Sequence, residues 1–110
     1  MALISLDEAK KYLRVDSADE DDLIGSLLSA AAALCVDVAR LTSEQWADIN
    51  SDLRQTERYG DLELTAIRET MRIAVLFALA YLFEHREEAD HHALVLTLRS
   101  LLFAIREGVV

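Results

Sequence analysis

The residues best suited to chemistry lie in one short stretch near the C-terminus. Glu84, His85, Glu88, Asp90, His91 and His92 place six potential metal ligands within nine residues. Such a set could hold a divalent cation and activate a bound water. The spacing argues against it. An HExxH helix puts two histidines four residues apart on one face, whereas His85 precedes His91 and His92 by six and seven residues. His91 and His92 are adjacent, so on a helix their rings diverge by ~100°. A solvated joint between two helices is the better reading.

Other chemistry finds less support. The seven serines include no G-x-S-x-G elbow. The three glycines, Gly25, Gly60 and Gly108, build no phosphate-binding loop. Cys35, the single cysteine, sits in an apolar stretch and has no partner for a disulfide or a thiolate zinc site. It reads as a small buried hydrophobe. A solvated acidic surface explains the abundant carboxylates better than a general acid/base pair does. No catalytic, cofactor-binding or metal residue is assigned, and no enzymatic activity is expected. Arg54, Arg58 and Tyr59 form a small basic-aromatic patch, but Asp52, Glu57 and Asp61 cancel its charge. It suits a partner-contact loop or an ordinary surface loop better than a nucleic-acid site.

The elements that carry these residues are helical. The chain has 110 residues, no proline and 53% hydrophobic residues, enough for one domain over residues 1–110 with one core. Sheet proteins need frequent turn residues, and this chain lacks them. The expectation is an all-α bundle of four to five helices with a long central helix near residues 61–85. Net charge is −9, with six basic against twelve acidic residues in 1–60 and five against eight in 61–110. That balance repels phosphates and disfavours conventional DNA binding. It suits a solvated surface, or the wall of a channel that DNA crosses without sticking. The longest apolar run, Ile73 to Phe83, is eleven residues, short of the ~20 a membrane span needs. With no signal peptide at Met1, the expectation is a soluble protein made in a reducing cytoplasm.

Three capping boxes punctuate the first half: Ser5 to Glu8, Ser17 to Glu20 and Thr42 to Gln45. The first opens a short helix with Leu6, Ala9 and Leu13 on one stripe. The second is expected to open a long helix reaching about Arg40. Its acids at 19–22 would lie in the first turn, where the dipole favours each by ~0.3–1 kcal/mol. Leu23, Leu27, Ala31, Leu34 and Val38 form its expected inner stripe, beside Ile24, Leu28 and Cys35. Gly25 allows either close helix approach or a tolerated defect costing ~1 kcal/mol. The third box opens a short helix fading near Asn50, with Leu41 and Trp46 placed as a hydrophobic staple. Residues 50–60 read as a loop or frayed helix.

From Asp61 a helix is expected to about Glu84, with Leu64, Ile67, Met71, Ala74, Val75, Ala78 and Leu82 on one face. Ile73, Phe77, Ala80 and Tyr81 form a second. A helix apolar on two sides must be covered on two sides, so the second face is a candidate for another subunit. Asp90 can cap a final helix with Leu94, Leu98, Leu101, Leu102 and Ile105 in register, and Leu96 and Phe103 off that stripe. The candidate interface residues are therefore Trp46, Tyr59, Ile73, Phe77, Tyr81, Leu96 and Phe103.

The first block resembles a known family. Leu6-Asp7-Glu8-Ala9-Lys10, Leu13-Arg14-Val15-Asp16, and Glu20-Asp21 with Leu23-Ile24 look like the N-terminal signature of tailed-phage head–tail connectors. These small adaptor or head-completion proteins carry a pattern close to LEEAKxHLRVDxxDEDxLI, then paired aliphatics and alanines, matched by Leu27, Leu28, Ala31 and Ala32. Leu82-Phe83-Glu84-His85-Arg86-Glu87 is similar to the family's LYENREA, with His85 replacing asparagine. Leu101, Leu102 and Arg106 match its terminal leucine pair and arginine, although the Pro-Tyr of that tail is absent. The likeness is strong over residues 4–32 and loose over 73–106.

The resemblance implies a virion structural protein at the head–tail junction, present in the host cytoplasm during assembly. It implies a homo-oligomeric ring on the portal of the DNA-filled capsid, a docking platform for the next tail-side protein, and no cofactor, catalytic residue or membrane. DNA would pass through the ring without specific binding. An acidic helical partner-binding regulator, or nucleic-acid mimic, is the second reading. A small metal-dependent enzyme using His85, His91 and His92 is the third.

Overall fold

The computed structural model describes residues 3–50, 61–85 and 91–108, with 61–63 and 104–108 described by backbone alone. Five helices follow in order: α1 (Leu6–Leu13), α2 (Asp21–Ala39), α3 (Ser43–Asn50), α4 (Asp61–Glu84) and α5 (His92–Gly108). No strand occurs among the described residues. The all-α expectation and the long central helix both hold, since α4 touches each of the other four helices. The molecule is 19 Å along its shortest axis, about two helix layers at ~10 Å each.

Two of the three capping boxes form. The Glu8 amide donates to Ser5 Oγ at 3.1 Å and the Ser5 amide to Glu8 Oε1 at 3.4 Å. The Gln45 amide donates to Thr42 Oγ1 at 3.1 Å and the Thr42 amide to Gln45 Oε1 at 2.8 Å. Leu41 and Trp46 flank the second box and both pack on the core, as a staple should.

The box expected at Ser17 to Glu20 does not form. Residues 18–21 make a turn, with the Asp21 amide donating to the Ala18 carbonyl at 3.2 Å, and α2 begins at Asp21 with Glu20 as a cap whose side chain makes no capping bond. Only Asp21 and Asp22 therefore lie in the first turn. Asp21 also pairs with Lys10 Nζ at 2.7 Å, joining the end of α1 to the start of α2.

The inner stripe of α2 is turned by one residue from the expected one. Ile24, Ala31, Cys35 and Ala39 are fully buried, while Leu23, Leu27, Leu34 and Val38 are half-buried at its edges. By length and composition α2 is also the one described helix able to cross a bilayer. Here it packs on α1, α4 and α5. A Cβ built on Gly25 meets nothing within 4 Å. The glycine therefore serves no close approach and is a tolerated defect.

Helices α1 and α2 end alike. Arg14 and Arg40 both take left-handed backbone, at φ 61° and 57°. The Val15 amide then reaches the Lys10 carbonyl at 2.9 Å, and the Leu41 amide the Val36 carbonyl at 3.1 Å. These six-to-one bonds mark Schellman motifs, and Val15 and Leu41 supply the accompanying apolar contact with the core.

On α4, Leu64, Met71, Ala74, Val75 and Ala78 are buried as expected, with Ile67 and Leu82 packed beside them, and Leu79 joins the core. Two arginines on the same helix, Arg68 and Arg72, stitch it to the N-terminal half. Arg68 Nε donates to the Ile49 carbonyl at 2.9 Å. Arg72 Nη1 donates to the Leu3 carbonyl at 2.9 Å, and Nη2 to the Glu8 carboxylate. On α5, Leu94, Leu98 and Leu102 are buried, whereas Leu101 sits at the exposed edge. The Val95 amide, in the first turn of α5, donates to the His91 carbonyl at 3.0 Å. The loop at 51–60, the cap at Asp90 and the Ile105 side chain lie outside what the structure describes.

Candidate functional site

The candidate surface begins with what α4 leaves uncovered. Ile73 and Phe77 are one helical turn apart, and they remain 61% and 38% exposed. Their exposure follows from the two-layer depth, which covers one side of α4 and leaves the other to solvent. Glu69 and Glu84, both exposed, lie on the same side toward either end. The result is a short apolar ridge flanked by acids.

A second apolar strip runs along the outer side of α5. Leu96 and Phe103, seven residues apart, are 47% and 58% exposed. The expectation that these two would stand off the core stripe holds.

Tyr81 is different. It is half-buried, stacked on His85 with ring centroids 4.1 Å apart and planes 17° apart. His91 meets it edge-on at 5.9 Å. His85 Nδ1 lies 2.9 Å from the Tyr81 carbonyl. Two of the three histidines thus close the joint between α4 and α5 around one tyrosine. Among the described residues, no three His, Cys, Asp or Glu side chains gather closely enough to hold a metal ion. Glu88 and Asp90 lie outside the described residues, as do Tyr59, Arg54 and Arg58.

Trp46 is half-buried and edges a groove of about 690 Å³. The groove runs between the N-terminal segment, the outer side of α2 and the start of α3. Leu28, Ala32 and Val36 line its α2 wall, and Val75 of α4 contributes to the same lining. Its far end carries Asp37 and Arg40, which also line an adjoining polar hollow with Arg99 of α5. Neither arginine pairs with a carboxylate among the described residues.

The groove's upper edge is held by polar bonds. The Leu3 amide donates to Asn50 Oδ1 at 2.8 Å, and Arg72 holds the Leu3 carbonyl from the other side. Arg72 beside Glu8 keeps that carboxyl below the usual carboxylate range, and Glu8 in turn raises the guanidinium. Cys35 lies inside the core, where burial alone pushes its thiol up to about 12.

Sequence reasoning missed the groove and Tyr12, an aromatic on α1 that is 49% exposed. The run Ser29 to Ala33, all small residues, was the available signal for the groove. A helix face without bulk leaves a depression unless a neighbour fills it.

The family model described as "Phage gp6-like head-tail connector protein" matches residues 3–106. Comparison with curated proteins returned no match. Comparison with solved structures returned none either.

Proposed function

We propose that this chain, which belongs to the phage gp6-like head–tail connector family, forms a closed ring on the portal of the DNA-filled capsid and extends the DNA channel toward the tail. Family membership makes the protein a structural component of the phage virion. The ring, its seat on the portal and the docking of a tail-side protein below it are the finer reading. The observation that carries it is the extent of the family match, which takes in nearly the whole chain rather than one motif.

Physical features support it. A ring is built from heterologous contacts, so each subunit needs two different adhesive surfaces. The α4 ridge and the α2 groove are two such surfaces. A net charge of −9 opposes tight contact with DNA phosphates, which suits a conduit that the genome must leave quickly. The family is a structural one, and His85 and His91 at the α4–α5 joint pack on Tyr81.

Deletion of the gene tests the reading in the phage. The expected outcome is heads that package DNA but fail to join tails, or lose their DNA, while portal and capsid assemble normally. Tailed, infectious particles at wild-type yield would overturn it.

A further inference from the structure

The groove and the ridge lie on opposite sides of the subunit. Val75 lines the groove and Ile73 forms the ridge, and two residues on an α-helix differ by ~200° about its axis. A surface that receives on one side and a surface that projects on the other make a head-to-tail pair when they fit each other.

The chemistry of the two surfaces is complementary. The groove wall is largely apolar, with Leu28, Ala32 and Val36 of α2 lining it. α2 is apolar on more sides than the fold covers, its buried stripe being Ile24, Ala31, Cys35 and Ala39. The ridge offers Ile73 and Phe77 to such a wall. Charge sets the partner. Two copies of a chain at −9 repel unless opposite charges meet at the contact. The end of the groove carries Arg40 and Asp37, and the adjoining hollow adds Arg99, so two arginines stand against one carboxylate among the described lining residues. The ridge is flanked by the exposed acids Glu69 and Glu84.

We propose that the α2 groove of one subunit receives the Ile73–Phe77 ridge of a second copy of this chain, with Arg40 and Arg99 facing an acid that flanks the ridge. The pairing deepens the ring reading and rests on it for the head-to-tail geometry. Phe77 enters the groove beside Trp46, and the acid closes over Arg40. Leu96 and Phe103 on α5 stay outside this contact and remain free for the portal or the tail-side protein.

Disulfide trapping tests the pairing directly. Cys35 is buried and does not compete for oxidation. Ile73→Cys and Ala33→Cys variants, each at an exposed position, are mixed at high protein concentration and oxidised, and the bonds formed are mapped by peptide mass. The expected result is a 73–33 disulfide between chains, in clear excess over 73–73 and 33–33 bonds. Adding Phe77→Asp to the Ile73→Cys chain is expected to lower its yield about tenfold or more, since it buries a charge at the centre of the contact. Circular dichroism checks that the charged variant stays folded. A 73–33 yield no greater than that of a control pair, Ile73→Cys with Ser26→Cys, overturns the pairing, as does a preponderance of 73–73 bonds. Gene deletion reads the connector role alone, so a failed cross-link with the deletion phenotype intact removes this interface and leaves that role standing.

Discussion

Arg72 on α4 donates to the carboxylate of Glu8 on α1, 64 residues earlier in the chain. Glu8 also closes the capping box of α1 through the Ser5 amide. One side chain therefore starts a helix and moors it to the central one. Arg72→Met keeps the aliphatic stem but leaves the Glu8 carboxylate and the Leu3 carbonyl without this donor. The expected loss is about 1–2 kcal/mol in urea unfolding, at the low end because the two side chains are 37% and 43% exposed and water screens the pair. Glu8→Gln retains a group able to cap at the same position and is expected to cost less than Glu8→Ala.

The same pair sets an acid dependence. The folded protein holds the Glu8 pKa below its ordinary value of 4.5, so its stabilisation is present above that value. It fades as pH falls through the lower folded-state pKa. The gap between thermal melts of wild type and Arg72→Met is expected to narrow as the pH is taken below 4.5, toward the part owed to the Leu3 carbonyl bond. A gap between them that stays constant down to the acid transition would contradict the assignment.

Gly25 and Arg14 carry opposite predictions about one residue type. At Gly25 a methyl group would enter open space in the body of a helix. Gly25→Ala is expected to stabilise by about 1 kcal/mol, raising Tm by ~4–8 °C for a domain of about this size. At Arg14 the backbone is left-handed, φ 61°, where glycine carries no Cβ penalty. Arg14→Gly is expected to stabilise by up to about 1 kcal/mol, and Arg14→Val to destabilise. Differential scanning calorimetry reads all three.

Much of this was legible in the chain, and the misses have causes. Helix number and order followed from composition and caps, because Ser5–Glu8 and Thr42–Gln45 are local signals needing no tertiary help. Ser17–Glu20 carries the same pattern and fails. There the Lys10–Asp21 pair and the Schellman turn at Arg14–Val15 fix where α2 enters, and tertiary geometry overrides the local cap. The stripe of α2 was misjudged by one residue because the helix is apolar nearly all round, so periodicity cannot choose its inner face. On α4, charges at Arg68, Glu69 and Arg72 break the pattern, and the ridge at Ile73 and Phe77 could be read in advance. The groove was legible only in its α2 wall, marked by the small residues 29–33, since its other walls come from segments that only the fold brings together.

Cys35 offers a clean probe of folding. It is fully buried with its thiol pushed up to about 12, so it is expected to resist thiol reagents in the native protein and to react once denaturant unfolds the chain. Its pKa is raised on folding from an ordinary 9.0, so stability is expected to fall as pH rises from about 9 toward 12, where only the unfolded thiol ionises. Cys35→Ala should flatten that part of the pH profile. Rapid labelling at neutral pH without denaturant would show that the core is open.

The central claim is that this chain is the piece added between a filled head and its tail. Purified protein mixed with DNA-filled, portal-bearing capsids from the deletion mutant, then imaged by electron microscopy, measures this most directly. The account predicts new density at the portal vertex alone, in the form of a closed ring, and recovery of tail joining. Capsids that bind none of the protein, or bind it away from the portal, would contradict it.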